Sequence, residues 1–134
     1  MILIDTDVAI ALRDLDAETH RLVFELEEVP VISMMTRIEL ENGVNREPAG
    51  TRLRRHRLER LLETIRVEMF THADILTYGR IIDEIGYDRR CIVDRLIAAQ
   101  AIARDAQLIT RNGRDFRRIE GLHLTVWPSV TTGF

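Results

Sequence analysis

The chain has 134 residues, 46% apolar and 31% charged, with a formal net charge of -3. That length suits one domain over residues 1–134, and the composition is ordinary for a folded soluble chain. No apolar run approaches the ~20 residues of a membrane span, and the slightly acidic balance does not announce a nucleic-acid binder. All 19 basic residues are arginine, which removes every mechanism that needs a lysine. The lone cysteine, Cys91, cannot form an internal disulfide and reads as a small buried apolar residue. Met1 runs directly into "ILID", so no secretory leader is expected, and a cytoplasmic location fits best.

The first element is "MILID", an apolar run ending at Asp5. Its lack of alternation predicts a strand buried on both faces, as in a parallel sheet. Thr6 or Asp7 is expected to cap the short helix "VAIALR". A second helix is predicted over Ala17–Glu28, with Leu22, Val23 and Leu26 on one face. "VPVIS" is the next strand, with Pro30 tolerated near its start. Ser33 suits the N-cap of "MMTRIELENG", and Gly43 suits its stop. An arginine-rich helix follows from Ala49 to about Val67, with Leu53, Leu58, Leu61, Leu62 and Ile65 as its apolar stripe. "VEMF" is a short strand. The helix "THADILTYGRIIDEIG" opens on Thr71 and Asp74, close to a capping box, and ends at Gly86. Asp94 is expected to start "DRLIAAQAIARDA". "QLIT" is a strand, "RNG" a turn, "RDFRRI" a helical turn and "LHLTVW" the last strand.

Strands alternating with helices predict an α/β fold, a mostly parallel central sheet covered on both faces. Ligands in such sheets gather at the carboxyl ends of the strands. Asp5 ends the first strand, Glu39 lies within two turns of the helix after the second, and Asp115 follows the fourth. Asp94 opens the helix that feeds the fourth strand, so it belongs at the same rim if Tyr87–Val93 carries the chain back across the sheet. Four carboxylates from four segments then share one rim. Such a group either holds protons or is neutralised by a cation. Oxygen donors alone suit a hard ion, Mg²⁺ or Mn²⁺. His20, His56, His72 and His123 are scattered and read as surface or satisfied side chains. Asp74, Asp83, Asp88, Glu59 and Glu63 read as ordinary surface charges.

The pieces "ILIDTDVAI", "ISMMTRIELENG", "VDRLIAAQAIARDAQLITRNGRDF" and "IEGLHL" resemble, in order and spacing, the PIN-domain nucleases, and within them the VapC-type toxins of toxin–antitoxin pairs. The resemblance covers nearly the whole chain. It implies a PIN-like three-layer α/β/α sandwich and a metal-dependent ribonuclease. It makes Asp5, Glu39, Asp94 and Asp115 the acidic metal-binding set and places Thr110 and Asn112 in the same pocket. Asp7 stands where the family often has Ser or Asn, and is a helix cap or a fifth acid of the site. The family also implies a VapB-like antitoxin, an RNA substrate and a homodimer. A groove between the helices Ala17–Glu28 and Ala49–Val67 is expected to receive an amphipathic helix of the antitoxin, whose tail brings an arginine to the acids.

Arg89, Arg90, Arg95, Arg111 and Arg114 lie nearest the expected pocket and are candidates for RNA phosphates. Arg52, Arg54, Arg55, Arg57 and Arg60 could also hold phosphates. They could equally form a solvated face with local pairs such as Arg55–Glu59 and Arg60–Glu63. A role in RNA maturation and a catalytically inactive RNA-binding module are the competing readings. A phosphoryl-receiving signalling domain fails for want of a lysine.

Overall fold

The computed structural model describes residues 1–128. Its sheet has five strands: β1 (Ile2–Ile4), β2 (Val31–Ser33), β3 (Arg66–Glu68), β4 (Gln107–Thr110) and β5 (His123–Val126). They lie in the order β3-β2-β1-β4-β5, and every neighbouring pair is parallel. The helices are α1 (Thr6–Arg13), α2 (Ala17–Phe24), α3 (Met34–Val44), α4 (Thr51–Leu62), α5 (His72–Ile85) and α6 (Ile92–Ala103). This is the PIN-like α/β/α sandwich expected from the sequence.

Two-sided burial explains the unbroken apolar strands. Ile2 and Ile4 pack into the core shared with Val8 and Leu12 of α1 and Leu58 and Leu61 of α4. Leu3, one residue out of phase, joins Ile81 of α5 and Ile97, Ala98 and Ala101 of α6 on the other face. Each such side chain contributes on the order of 1.5–3 kcal/mol by leaving water. The strand order reverses between β1 and β4, because the chain builds outward through β2 and β3 and then returns to add β4 and β5. A crevice is expected at the carboxyl ends of the strands at that switch. At that switch the backbone N–H of Asp5 joins β1 to β4 by donating to the Ile109 carbonyl at 3.0 Å.

Several boundaries move, each for a local reason. Asp5 itself caps α1, its Oδ1 accepting from the Val8 N–H at 3.2 Å, so neither Thr6 nor Asp7 is the cap. Helix α2 stops at Phe24, short of Glu28. Helix α3 runs one residue past Gly43, because Val44 is drawn fully into the core. The arginine-rich helix is shorter than expected, since Arg66–Glu68 pair with β2 instead, Val67 opposite Ile32. Gly86 ends α5 at φ +87°, as a glycine stop should. A 3-10 turn over Arg89–Cys91 then precedes α6, which begins at Ile92, so Asp94 is the third helical residue and not the first. Cys91 is half-buried rather than enclosed.

The route to the rim also differs. Tyr87–Val93 does not cross the sheet as an extended segment. Helices α5 and α6 form an antiparallel hairpin, and α5 makes the traverse. Arg104 Nη1 donates to Asp74 Oδ1 at 2.5 Å at one end of the pair, and Arg95 Nη1 to the Gly86 carbonyl at 2.5 Å at the other. Asp74 is therefore no surface charge. It is fully buried, and its second oxygen accepts from the Thr71 N–H at 2.8 Å, the carboxylate half of a capping box.

Candidate active site

A cleft of about 500 Å³ opens at the carboxyl ends of the strands. Asp5, Asp7, Glu39, Asp94, Asn112 and Asp115 all line it. The fold thus brings the four sequence-predicted carboxylates together from β1, α3, α6 and the 3-10 turn Gly113–Asp115 that follows β4. Gly113 makes that turn possible by its size: a Cβ there would stand 2.7 Å from Val126 Cγ2 of β5.

Three of the four acids have their own support. Thr110, buried at the end of β4, donates its hydroxyl to Asp5 Oδ2, and its Oγ1 accepts the Asn112 N–H at 2.9 Å. The Asn112 side-chain amide donates to Asp115 Oδ2. Thr6 donates to Glu39 Oε1 at 2.5 Å and lies 3.1 Å from the Thr36 hydroxyl. Asp94 has no donor among the described residues; its neighbours are the other acids.

The electrostatics follow from this difference. Burial pushes the Asp5 carboxyl up to about 6, against the opposing pull of the Thr110 and Val8 donors, and Arg111 is the one cation that lowers it. Asp94 is pushed up to about 7, first by burial and then by the charges of Asp115, Asp5 and Glu39. The second shift reports, beside burial, negative charge gathered at one place, since three other acids add to it.

That charge and the all-oxygen donor set fit a hard divalent cation. Among the described residues, no three acidic, histidine or cysteine side chains already enclose a point where an ion would sit. The candidates would have to close inward on an ion, with water completing its shell.

The predicted arginines separate into two groups. Arg95 is buried and spent on the Gly86 carbonyl. Arg111 is held by the Thr19 hydroxyl and lies 3.7 Å from Asp16, with its Nε buried and unpartnered. Neither is presented to a substrate. Arg90 sits against Asp88 at 3.4 Å, and Arg89 and Arg114 are exposed outside the cleft lining. On α4, Arg55 pairs with Glu41 at 2.6 Å rather than with Glu59, while Arg60 does approach Glu63 at 3.7 Å. Of the α4 arginines that could hold phosphates, Arg54 does line the cleft, while sequence reasoning missed Arg13 and Arg46, which also line it, as well as Thr6. Thr6 had a signal in its place inside "IDTD"; the arginines had none, because they come from the far end of α1 and from the α3–α4 segment. No histidine lines the cleft: His20 is bonded to the Leu12 carbonyl and His123 to Asp105, both at 3.0 Å.

Comparison with known proteins accords with this architecture. The ribonuclease VapC1 of Rickettsia felis is 43% identical over 54 residues, a stretch that spans 38% of this chain and 40% of that relative's length. The fold matches the VapBC-1 structure of nontypeable Haemophilus influenzae with a TM-score of 0.77 at 26% identity, over 95% of this chain and 98% of that one. It matches FitAcB from Neisseria gonorrhoeae with a TM-score of 0.75 at 27% identity, over 95% and 96% of the two chains. The structure of VapBC2 from Rickettsia felis bound to a promoter DNA fragment shares the fold with a TM-score of 0.82 at 24% identity, over 95% and 99%. A PIN domain profile runs from residue 2 to residue 122, and across that span the chain belongs to the PIN-domain family.

Proposed function

We propose that this protein is a metal-dependent endoribonuclease and the toxin of a VapBC-type toxin–antitoxin pair, acting as a single PIN domain over residues 1–134 in the cytoplasm. The observation that carries the reading is the convergence of Asp5, Glu39, Asp94 and Asp115 on one cleft, with Asp94 left without a donor among the described residues. In this reading those four carboxylates hold Mg²⁺ or Mn²⁺, Asp5 and Asp94 as principal ligands. The bound ion would polarise an RNA phosphodiester and lower the pKa of the attacking water. Thr110 and the Val8 N–H fix the orientation of Asp5, Thr6 that of Glu39, and Asn112 that of Asp115. Asp7, exposed beside them, adds a fifth negative charge that favours cation binding.

An apolar groove of about 720 Å³ supports the antitoxin part of the reading. Leu12, Leu15, Val23, Pro30, Leu53 and Leu61 line it, from α1, α2, α4 and the segments between them. Leu15 and Leu53 are more than half exposed, at 62% and 52%. An amphipathic helix of a VapB-like partner would cover them. The related structures named above include VapBC complexes, which favours the same occupant. Homodimerisation belongs to the same reading, and Ile38 of α3 and Leu76 of α5 are exposed and available for it.

The test is a digest of total RNA with Mg²⁺ or Mn²⁺, with the cleavage ends mapped, using the protein alone and co-purified with the product of the adjacent upstream gene. Free protein should yield 5′-phosphate and 3′-hydroxyl ends, since no histidine stands in the cleft to activate a 2′-hydroxyl. The complex should be inactive. Cyclic phosphate ends would refute the chemistry. A complex as active as the free protein would leave RNA maturation in place of the toxin role.

A further inference from the structure

The cleft has two electrical ends. Helix α1 begins at the acids, with Asp5 as its cap, and finishes at Arg13. At 1.5 Å per residue its length separates them by about 12 Å. Helix α3 repeats the pattern, with Glu39 near the acids, then Gly43, and then Arg46 in the loop beyond its end. Arg54 reaches back from α4 to the same loop.

These three arginines are not equivalent. Arg13 is buried and neutralised by a two-point pair with Asp14, at 2.9 and 3.1 Å. Arg54 donates to two neutral acceptors, the carbonyls of Val44 at 3.1 Å and of Glu47, so its charge is oriented without being cancelled. Those bonds also hold the Asn45–Gly50 loop against α4. Arg46, on that loop, is exposed and has no ionic or hydrogen-bond partner for its guanidinium among the described residues. Glu47 lines the cleft as well, but its carboxylate is paired with neither arginine. Of the arginines predicted nearest the acids, Arg95 and Arg111 are held by the fold and Arg89, Arg90 and Arg114 stand outside the cleft lining, whereas this pair lines it.

We propose that Arg46 and Arg54 form the phosphate-binding end of the cleft and hold the backbone of a single-stranded RNA whose scissile bond lies over the acids. The proposal rests on the ribonuclease reading and adds where the strand runs. A fixed guanidinium on Arg54 supplies register, and an exposed one on Arg46, unpaired among the described residues, supplies capture. Both contact phosphate and not bases, so they contribute affinity without sequence preference. The polarity of the cleft also repels the substrate from the acid end unless that end carries a cation.

Arg46 is the position to test, because it supports nothing in the fold. Binding of a labelled single-stranded oligoribonucleotide is measured with Mg²⁺ across a salt series, in an Asp94→Asn parent that is expected to cut about 10³-fold more slowly. Arg46→Ala should weaken binding about tenfold and lower the salt slope by about 0.7, the share of one phosphate contact on a single strand. Arg46→Glu should weaken it further, and Arg46→Lys should restore most of it. In the otherwise unaltered protein, Arg46→Glu should raise KM with little change in kcat and leave Mn²⁺ affinity by calorimetry unchanged. Equal affinity and slope for the parent and Arg46→Ala would overturn the proposal alone. A parent that binds no RNA, together with an unaltered protein that cuts none, would remove the ribonuclease reading beneath it. If Arg46→Glu abolished antitoxin binding and left RNA binding intact, the loop would serve the protein partner and the proposal would be wrong.

Discussion

Asp74 and Asp94 occupy the same local position. Each is the third residue of its helix, α5 or α6, and the two helices pack side by side. Asp74 is fully buried and answered: the Thr71 N–H takes one oxygen and Arg104 the other. Arg104 is itself shared with Glu68 at 3.1 Å and with the Met69 carbonyl at 2.8 Å, so one arginine ties β3, α5 and α6 together. Asp94 is answered by nothing but other acids, and its carboxyl is held up to about 7. The first arrangement is structural, because the fold supplies the counter-charge. The second stores repulsion that only something from outside can relieve. A buried acid is informative about function when its compensation is missing.

The largest expected effect tests Asp94. Asp94→Asn should lower RNA cleavage by about 10³-fold, the scale of losing one well-placed electrostatic group at a reacting centre. The same change should raise the melting temperature of the cation-free protein, because it removes repulsion. Calorimetric titration should show weakened Mn²⁺ binding. Equal Mn²⁺ affinity in variant and parent would break the ligand assignment.

Arg104→Ala is the mirror experiment. It leaves Asp74 buried without its partner and should cost about 3 kcal/mol or more of folding stability. Urea unfolding measures it, and cleavage per folded molecule should hardly change. A loss below about 1 kcal/mol, the value of an exposed pair, would show that the tie contributes little.

The smallest effect is in pH. Asp5 and Asp94 have folded values of about 6 and about 7 against 3.8 for a free carboxyl. The folded state keeps protons that the unfolded chain has released. Their stabilising contribution is therefore complete below pH 3.8 and is lost as pH rises through 6 and 7. In EDTA, stability should fall between pH 5 and 8, and Asp94→Asn should fall less steeply. Saturating Mg²⁺ should flatten or reverse the trend. A flat profile in EDTA would mean that the acids are compensated after all.

The sequence alone determined the strand content, the layer order and which four acids meet at the cleft. Runs such as "ILI" and "QLIT" admit one interpretation, burial on both faces, and "QLIT" is strand β4 residue for residue. The capping signals at Ser33 and Gly86 hold because they act within one turn of chain. Gly43 and the far end of the arginine-rich helix did not follow the local pattern, since burial of Val44 and pairing of Val67 with Ile32 outweighed it. Tertiary structure decided which charges are spent. A capping box with Thr71 supports Asp74 locally and has no counterpart at Asp94, but the counter-charge comes from Arg104, which lies 30 residues from Asp74 in the chain. The same holds for Arg95 and Arg111, which the fold consumes, and for Arg46 and Arg54, which it presents. Periodicity and capping are properties of neighbouring residues and can be read in order. Charge compensation is settled by whichever partner the packed helices bring within about 3 Å, and that is a property of the folded chain.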